Sequence, residues 1–314
     1  MFKQDFKYYK SKKPPPDLSN VLDFNNSNLI IGKVRQIRCE IPNEELHGLK
    51  PVQQWHAYEL LDNPGLIFIR NPFTSYGQRY WIIRCLRDYT KKPNKLNVDI
   101  HDIVPTTQDW WEMCQDNKNE NIINKLRWAT LGYHHNWDTK IYSEDLKNTF
   151  PKDLAVLSKY FANVLGYKDF NAEAAIVNYY HMDSTLSGHT DHSEQYLEAP
   201  LFSFSFGQSA IFLLGGTTLD VKPTAMFLHS GDVVVMSKES RLCYHGVPKI
   251  ITAPQSLWNS NDSKYVCKNE NIMNGISDED FSKPFETYIE HSRINMNVRQ
   301  VLKSSEQSLN NVIK

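Results

Sequence analysis

The most regular feature of the chain is a series of short apolar runs separated by turn-forming residues. Between residues 171 and 248, β-branched and aromatic residues cluster in short pieces with Gly, Asp, Ser and Pro between them, a pattern typical of strands. Another strand is predicted at Leu66–Ile69 and a closing strand at Ile294–Leu302. The strands predicted in the central region are Ala175–Tyr180, Leu201–Phe206, Ala210–Leu214, Thr224–Leu228, Val233–Met236 and Leu242–Val247.

Helical spacing of apolar residues is concentrated in the first half of the chain. The segment Gln78–Tyr89 repeats apolar residues on one helical face and is stopped by Pro93, which predicts a helix. Helices followed by many short strands indicate an α+β protein with a double-stranded β-helix, or jelly-roll, core and an N-terminal helical cover. The other predicted helices are Asp109–Cys114, Ile122–Trp128 and, behind a capping box of Ser277 and Asp280, about 278–291.

The same patterns divide the chain into regions. The first twenty residues carry five lysines and then a proline run, which is typical of a flexible basic tail. A mitochondrial presequence is the alternative, but Asp5 and the lack of arginine weaken it. The predicted regions are a tail over 1–20, a cover and substrate-recognition region over 21–150, a jelly-roll core over 151–303 with a surface loop at 250–276, and a C-terminal tail over 304–314.

Composition describes an ordinary globular protein. The 314 residues are 40% hydrophobic, and no apolar run approaches the roughly 18 residues of a membrane span. The five cysteines are widely spaced and contain no C-x-x-C pair, which favours reduced thiols over a disulfide framework or a structural zinc. We therefore expect a monomer without a membrane partner, located in the nucleus, cytoplasm and/or mitochondrion.

Charge gives an ambiguous indication of a nucleic-acid partner. The net charge is −1, but the first hundred residues are basic and the remainder is mildly acidic. A basic front half could present one positive face to phosphates. The alternative is a solvated surface with unevenly distributed charge.

A candidate metal site lies in the strand-rich region. His189 and Asp191 are two residues apart, so on an extended chain their side chains lie on one face. With His245 from a later strand they would form a two-histidine, one-carboxylate face with open positions for ligands. The spacing alone is more typical of a surface turn than of a metal site. Of the competing histidines, His192 is predicted to be exposed and His229 to be structural.

The last predicted strand supplies a second candidate feature. Arg293, Asn295 and Arg299 share one face by strand alternation. A buried arginine needs a carboxylate, and a guanidinium suits a bidentate grip on one, while Asn178 and Tyr180 could add hydrogen bonds. The alternatives are an internal salt bridge or an exposed edge. Combined with the metal face, the set specifies a dicarboxylate beside an open metal, which a 2-oxoglutarate oxygenase requires.

At this point the chain resembles the AlkB-type Fe(II)/2-oxoglutarate nucleic-acid dioxygenases. The resemblance covers about residues 50–303 and is carried by the motifs Asn178-Tyr-Tyr180, His189-x-Asp191, His245 and Arg293-x-Asn295-x-x-x-Arg299. Further stretches resemble the subfamily of the first animal AlkB homologue, namely Leu201–Gly216, Pro223–Asp232, Thr130–His134 and Asn136–Asp138.

The resemblance implies a complete set of cofactors. It implies Fe(II) on His189, Asp191 and His245, with O2 as oxidant and ascorbate as reductant in vitro. It implies 2-oxoglutarate on Arg293, supported by Asn178, Tyr180, Asn295 and Arg299. The implied activity is oxidative demethylation of bases in tRNA and/or unpaired DNA, for example N1-methyladenine or N6-methyladenine. Many family members have an acidic residue where this chain has Ser193, so base contacts from that position do not carry over.

The substrate side is less specified. A target base must leave its stack and enter a pocket with aromatic walls. Trp128, Tyr133 and His134 are candidate walls, with Trp137 as a further one, and Arg127 is a candidate phosphate contact, although tryptophans are commonly core residues. Structured RNA or unpaired DNA is the expected partner. The alternatives are a protein (histone) demethylase or hydroxylase with the same iron chemistry, and a noncatalytic nucleic-acid-binding protein.

Overall fold

Two antiparallel β-sheets that pack face to face form the centre of the protein. The computed structural model describes residues 1–101, 103–105, 107–115, 120–254 and 283–311. The strands are β1 (Val34–Gln36), β2 (His56–Leu60), β3 (Leu66–Arg70), β4 (Lys95–Leu96), β5 (Trp128–Gly132), β6 (Ala174–His181), β7 (Leu186–His189), β8 (Leu201–Gly207), β9 (Ser209–Leu214), β10 (Thr224–Leu228), β11 (Val233–Met236), β12 (His245–Ile251) and β13 (Ser292–Arg299).

The strand order is that of a jelly roll, as predicted. The large sheet has the order β1-β2-β3-β11-β8-β13-β6-β5-β4, and the small sheet has the order β10-β9-β12-β7. Apolar side chains from both sheets, among them Phe68, Leu201, Phe212 and Leu228, form one buried cluster between them. The interior of the sandwich is therefore closed to water except where polar side chains interrupt this cluster.

Helices cover the outer face of the large sheet, also as predicted. Trp81 and Trp110 from these helices are fully buried against Val177 and Phe204 of the sheet. None of the helices in the described ranges is both long and apolar enough to cross a membrane. The helices are α1 (Phe2–Lys10), α2 (Ser27–Ile30), α3 (Ser75–Ile83, continued by a π-helical turn over Arg84–Asp88), α4 (Trp110–Gln115), α5 (Glu120–Ile123), α6 (Lys152–Val164) and α7 (Lys283–Ile289).

Two element boundaries differ from the sequence prediction. The helix predicted over Ile122–Trp128 ends at Ile123, and Trp128 instead begins β5, where it pairs with Asn178 of β6. The strand predicted from Leu242 begins only at His245, because a 3-10 turn occupies the residues up to Leu242. The first error arises from long-range strand pairing, which local sequence patterns do not report.

The predicted flexible tail is wrong, because the first ten residues are anchored on the small sheet. Phe2 is only 1% exposed, and its ring fills the space above two glycines. A Cβ atom on Gly188 would lie 2.5 Å from the Phe2 ring, and one on Gly215 would lie 2.8 Å from it. Burial of this aromatic ring stabilises the docked helix, and it places α1 next to the residue that precedes His189.

The predicted boundary at residue 150 does not divide the structure. The region 21–150 supplies β1 to β5, which share the large sheet with strands of the predicted core. The C-terminal segment is also packed, since Leu309 contacts the cluster around Tyr133 and its N–H donates to Glu144. In the predicted loop 250–276, β12 continues to Ile251. Residues 255–276, Ser277 and Asp280 lie outside the described residues.

The basic residues after α3 do not form an uncompensated positive face. Arg84, Arg87, Lys91 and Lys92 each lie within ion-pair distance of an aspartate. A carboxylate at this distance offsets the potential that a phosphate would otherwise experience. The positive surface that the basic front half suggested is therefore not located on this stretch.

Candidate active site

Pairing of β7 with β12 brings the two predicted histidine ligands together. His189 and His245 are register partners across these strands, and their imidazole centroids are 4.4 Å apart. Asp191 follows two residues after His189, and one ligand atom from each of the three residues lies within 4.8 Å of the others. The described residues contain no other such group of three or more potential ligands. The three residues that the sequence suggested thus form a compact site.

Backbone carbonyls fix the tautomer of both imidazoles. His189 Nδ1 lies 2.9 Å from the Ser187 carbonyl, and His245 Nδ1 lies 3.1 Å from the Cys243 carbonyl. A carbonyl oxygen only accepts, so each Nδ1 carries the proton and each Nε2 presents a lone pair to the centre of the site. This is the arrangement in which histidine binds a metal.

Asp191 supplies the negative ligand. Burial opposes its ionisation, but the adjacent Arg299 guanidinium holds the pKa of Asp191 well below its usual value. Its Oδ1 lies 2.9 Å from Arg299 Nη2, whereas Oδ2 is buried and has no hydrogen-bond partner among the described residues. Two neutral nitrogens and one ionised oxygen on one face fit Fe(II) in a facial triad with open positions.

A second polar group, Arg293, lies deeper between the sheets. It is 1% exposed, and burial lowers the pKa of its guanidinium. Nη2 donates to Ser205 Oγ at 2.9 Å, but Nε and Nη1 have no partner within the described part of the chain. The unpartnered N–H groups of a buried guanidinium are donors that a carboxylate ligand can satisfy.

The pocket around Arg293 extends to the metal face. Tyr180, Asn295 and His245 line it together with Arg293, and the Tyr180 ring lies 5.1 Å from the guanidinium carbon. Its remaining wall is largely apolar and includes Leu186, Leu201, Phe212, Leu228, Val234, Met236 and Val247. A pocket that joins a buried cation to one metal ligand through an apolar wall matches the chemistry of 2-oxoglutarate, whose two carboxylates are joined by methylene groups.

Three residues that were predicted to bind 2-oxoglutarate make other contacts or lie outside the Arg293 pocket. Asn295 lines the pocket, but its amide nitrogen donates to Ser203 Oγ at 2.8 Å and so also ties β13 to β8. Asn178 and Arg299 lie outside the Arg293 pocket and line a larger outer cavity. Arg299 therefore supports the metal end of the site and does not form a pair with Arg293.

The outer cavity, of about 660 Å³, opens above the triad. Its aromatic side is formed by His135 and Trp137, whose rings are 4.7 Å apart, and Lys140 adds a positive charge. Trp128 packs behind Trp137 at 5.0 Å between ring centroids. Trp137 is 45% exposed, so this ring is available to a ligand that enters from solvent.

The predictions for Tyr133 and His134 are wrong, because both residues are structural. Tyr133 is 1% exposed, and its hydroxyl bonds to Glu144 and accepts from Lys147. His134 is held between Thr130 Oγ1 at 2.7 Å and Asn148 Nδ2 at 2.6 Å. Burial lowers the pKa of His134 to about 4. Neither residue lines the cavity, and the next residue, His135, takes the predicted place.

The remaining predicted residues lie at the margin of the site. Arg127 is exposed and donates to Ser184 Oγ at 2.8 Å, outside the cavity wall. His192 is exposed, as predicted, at the cavity mouth. His229 bonds to Ser209 Oγ at 2.8 Å and faces Asp23 rather than the triad, which agrees with its predicted structural role.

Sequence reasoning missed several residues of the site. Asn297 lines both the inner pocket and the outer cavity, and the strand alternation that identified Arg293 and Asn295 would have found it. Glu194 and Arg241 are buried beside Asp191. No spacing in the sequence connects these two residues, since they meet only through the fold.

Comparisons with known proteins agree with this site. Residues 65–299 match the family model of the 2OG-Fe(II) oxygenase superfamily. The chain is 41% identical to nucleic acid dioxygenase ALKBH1 of Homo sapiens over 97% of this chain and 85% of that protein. It is 33% identical to the tRNA demethylase abh1 of Schizosaccharomyces pombe, over 96% and 95%. It is 31% identical to the DNA N(6)-methyladenine demethylase ALKBH1A of Arabidopsis thaliana, over 96% and 92%.

The matched region contains every residue of the triad and of the Arg293 pocket. Fe(II) and 2-oxoglutarate are the cofactors of this superfamily, and the donor set and the unpartnered guanidinium described above fit them. The chain therefore belongs to the 2OG-Fe(II) oxygenase superfamily, as a member of its AlkB type.

Proposed function

We propose that this protein is an Fe(II)- and 2-oxoglutarate-dependent dioxygenase that oxidatively demethylates bases in nucleic acid. The observation that carries the proposal is the buried Arg293, which has two unpartnered nitrogens and lines one pocket together with the metal ligand His245. His189, Asp191 and His245 would hold the metal, and Arg293 would hold the distal carboxylate of 2-oxoglutarate. Tyr180 and Asn295 line the same pocket, Arg299 holds Asp191 at the metal end, and Asn178 lines the outer cavity.

The residues of the chain orient the reactants and exclude water. Iron and 2-oxoglutarate, with O2, supply when bound the oxidation that hydroxylates a substrate methyl group, with succinate and CO2 as co-products and ascorbate as reductant in vitro. The carbonyls of Ser187 and Cys243 hold the imidazoles so that both Nε2 atoms face one point. Arg299 holds one oxygen of Asp191 and leaves the other directed at the metal position. A hydroxymethyl group on the ring nitrogen N1 or on the exocyclic nitrogen N6 of adenine then leaves as formaldehyde.

The outer cavity supports a base as the substrate. His135 and Trp137 offer ring faces for stacking, and an extruded base is bound in this way by enzymes that modify bases. Lys140 at the rim matches a phosphate. The names of the relatives, which are a nucleic acid dioxygenase, a tRNA demethylase and a DNA N(6)-methyladenine demethylase, support nucleic acid as the substrate class.

We also propose which nucleic acids are substrates, which oligomeric state the protein has and where in the cell it acts. We expect the protein to act on unpaired bases in structured RNA or in DNA. Such bases reach the cavity without the free-energy cost of breaking a base pair. We propose N1-methyladenine and N6-methyladenine as the first bases to test. Four free cysteines among the described residues are consistent with an intracellular protein, and we expect it to act as a monomer in the nucleus, cytoplasm and/or mitochondrion.

Mass spectrometry of nucleosides tests the proposal. Total tRNA is incubated with the protein, Fe(II), ascorbate and 2-oxoglutarate, and methylated nucleosides are quantified before and after. We expect loss of one or more N-methylated adenosines with wild-type protein and no loss with Asp191→Ala. Parallel incubation with methylated histone peptides addresses the alternative substrate, and demethylation confined to the peptides would reject the proposal.

A further inference from the structure

Four charged side chains form an unusual buried group beside the metal triad. Glu194, Arg241 and Arg299 are only 4%, 3% and 3% exposed, and together with Asp191 they make two positive and two negative charges. Charges in a protein interior are tolerated only when each one is paired and hydrogen-bonded. The contacts within this group therefore indicate which part of the metal site the four charges hold in place.

Arg241 ties two segments of the site together. Its Nη1 donates to the backbone carbonyl of Asp191 at 2.6 Å, and its Nε donates to the carbonyl of Ala199 at 3.1 Å. Its Nη2 donates to Glu194 Oε2 at 2.9 Å. Arg241 lies four residues before His245 in the chain. It thus fastens the loop that carries one metal ligand to the segment that carries another.

Glu194 also contacts Arg299, which in turn contacts the carboxylate of Asp191. Its second oxygen, Oε1, lies 3.1 Å from Arg299 Nε, and Arg299 Nη2 lies 2.9 Å from Asp191 Oδ1. An unbroken chain of opposite charges therefore runs from Arg241 through Glu194 and Arg299 to Asp191. Its end point is an Asp191 carboxylate with one oxygen held and the other free to face a metal.

We propose that Glu194 and Arg241 are positioning residues that hold Asp191 as a one-oxygen metal ligand through Arg299. Arg241 fixes the backbone of Asp191, and Glu194 fixes the guanidinium that engages its side chain. The inference rests on the metal site of the proposed function but not on the nucleic-acid substrate. It differs from a role in base recognition, because both oxygens of Glu194 are already engaged by arginines.

The affinity for Mn(II), measured by electron paramagnetic resonance on metal-free protein, tests this inference without turnover. Removal of an outer-shell partner weakens metal binding by about 10- to 100-fold, and we expect Glu194→Gln and Arg241→Met to fall in this range. Arg241→Lys keeps the charge but not the forked geometry, so it should recover part of the affinity. The Mn(II) signal of the variants should also broaden, because the carboxylate is no longer held in one orientation.

Asp153→Asn is the matched control for loss of a buried ion pair. Asp153 is 8% exposed and pairs with Arg84, but it is not part of the site. The substitution should lower the melting temperature and leave Mn(II) affinity unchanged. Glu194→Gln preserves the shape of the side chain, and Arg241→Lys preserves the charge. These two variants therefore still provide Mn(II) affinities if Arg241→Met does not fold.

The possible results distinguish failure of the positioning role from failure of the proposed metal site. Wild-type Mn(II) affinity in Glu194→Gln and Arg241→Lys would overturn the positioning role, even with reduced demethylation, and would assign Glu194 to the substrate. Wild-type protein that binds Mn(II) no better than His189→Ala would overturn both the metal site and the positioning role. Weakened binding in the two variants, with normal binding in Asp153→Asn, is the expected result.

Discussion

At the scale of single residues, Arg293 is the group whose environment most directly indicates a ligand. A buried guanidinium with two unpartnered N–H groups is costly unless an anion completes its hydrogen bonds. Arg293→Ala should therefore raise the KM for 2-oxoglutarate strongly, by an amount on the order of 100-fold for a charged hydrogen-bonded contact. Arg293→Lys should recover only part of this loss, because an ammonium makes no bidentate contact.

The dependence of succinate formation on 2-oxoglutarate concentration measures this effect. Ser230→Ala serves as a control, since Ser230 lies outside the pocket and bonds to Gln78. An unchanged KM for 2-oxoglutarate in Arg293→Ala would exclude the assigned role.

Trp137 provides a residue-scale test of the substrate cavity. When an aromatic side chain on which a base stacks is replaced by alanine, the binding free energy of that base falls by about 1–3 kcal/mol. Trp137→Ala should raise the KM for a methylated oligonucleotide by roughly 5- to 150-fold and leave the KM for 2-oxoglutarate unchanged. Tyr133→Phe is the matched control, because Tyr133 is buried away from the cavity. Equal effects of the two substitutions would place the base elsewhere.

The residues of the iron site were accessible from the sequence, and those of the substrate wall were not. His189 and Asp191 follow from their two-residue spacing on an extended chain, and Arg293 follows from alternation within β13, because alternation fixes which side chains share a face. Tyr133 and His134 were misassigned, since the chain turns after β5 and buries both rings against the segment 144–148. Which aromatic ring faces solvent depends on this turn and on no local pattern.

At the scale of elements, α1 carries the positive charge that the stretch after α3 does not. Lys3, Lys7 and Lys10 are exposed and fall on one face at helical spacing. The ring of Phe2 anchors this helix beside Gly188, next to the metal ligand His189. A row of lysines at this position would contact phosphates of a nucleic acid whose base occupies the outer cavity.

Charge reversal tests this element. The triple variant Lys3→Glu, Lys7→Glu and Lys10→Glu should weaken nucleic-acid binding and flatten the slope of log K against log salt. Decarboxylation of 2-oxoglutarate in the absence of substrate should stay at the wild-type rate. Binding is measured by fluorescence anisotropy over a salt series, and Lys91→Glu with Lys92→Glu is the control, since these lysines are paired with aspartates. A slope that only the control alters would refute the assignment.

Elements with strong local patterns agree with their predictions, and those that depend on distant partners do not. The strands Thr224–Leu228 and Val233–Met236 occur with the predicted bounds, because alternation and flanking turns specify them locally. The segment that contains helix α1 was predicted as a flexible tail because its lysines and the proline run that follows the helix are typical of one. Only the fold reveals the glycine-lined position that receives Phe2.

At the scale of the whole molecule, a net charge of −1 limits the kind of nucleic acid that the protein handles. Extraction of a base from an intact duplex costs a few kcal/mol, and a large positive surface would be needed to hold both strands. We therefore expect faster demethylation of N1-methyladenine in an RNA loop or a DNA bulge than in paired DNA. Initial rates on matched stem-loop, bulged and duplex oligonucleotides test this, and equal or faster turnover of the duplex would contradict it.

The central claim is that this site removes methyl groups from bases at the expense of 2-oxoglutarate. The most direct measurement uses stem-loop RNA with isotopically labelled N1-methyladenine or N6-methyladenine, and follows labelled formaldehyde, succinate and the demethylated nucleoside together. The account predicts that wild-type protein forms labelled formaldehyde and the demethylated nucleoside in equal amounts, with at least as much succinate, on at least one of the two RNAs, and that Asp191→Ala forms none of the three. Succinate without labelled formaldehyde on either RNA, or equal product from Asp191→Ala, would contradict it.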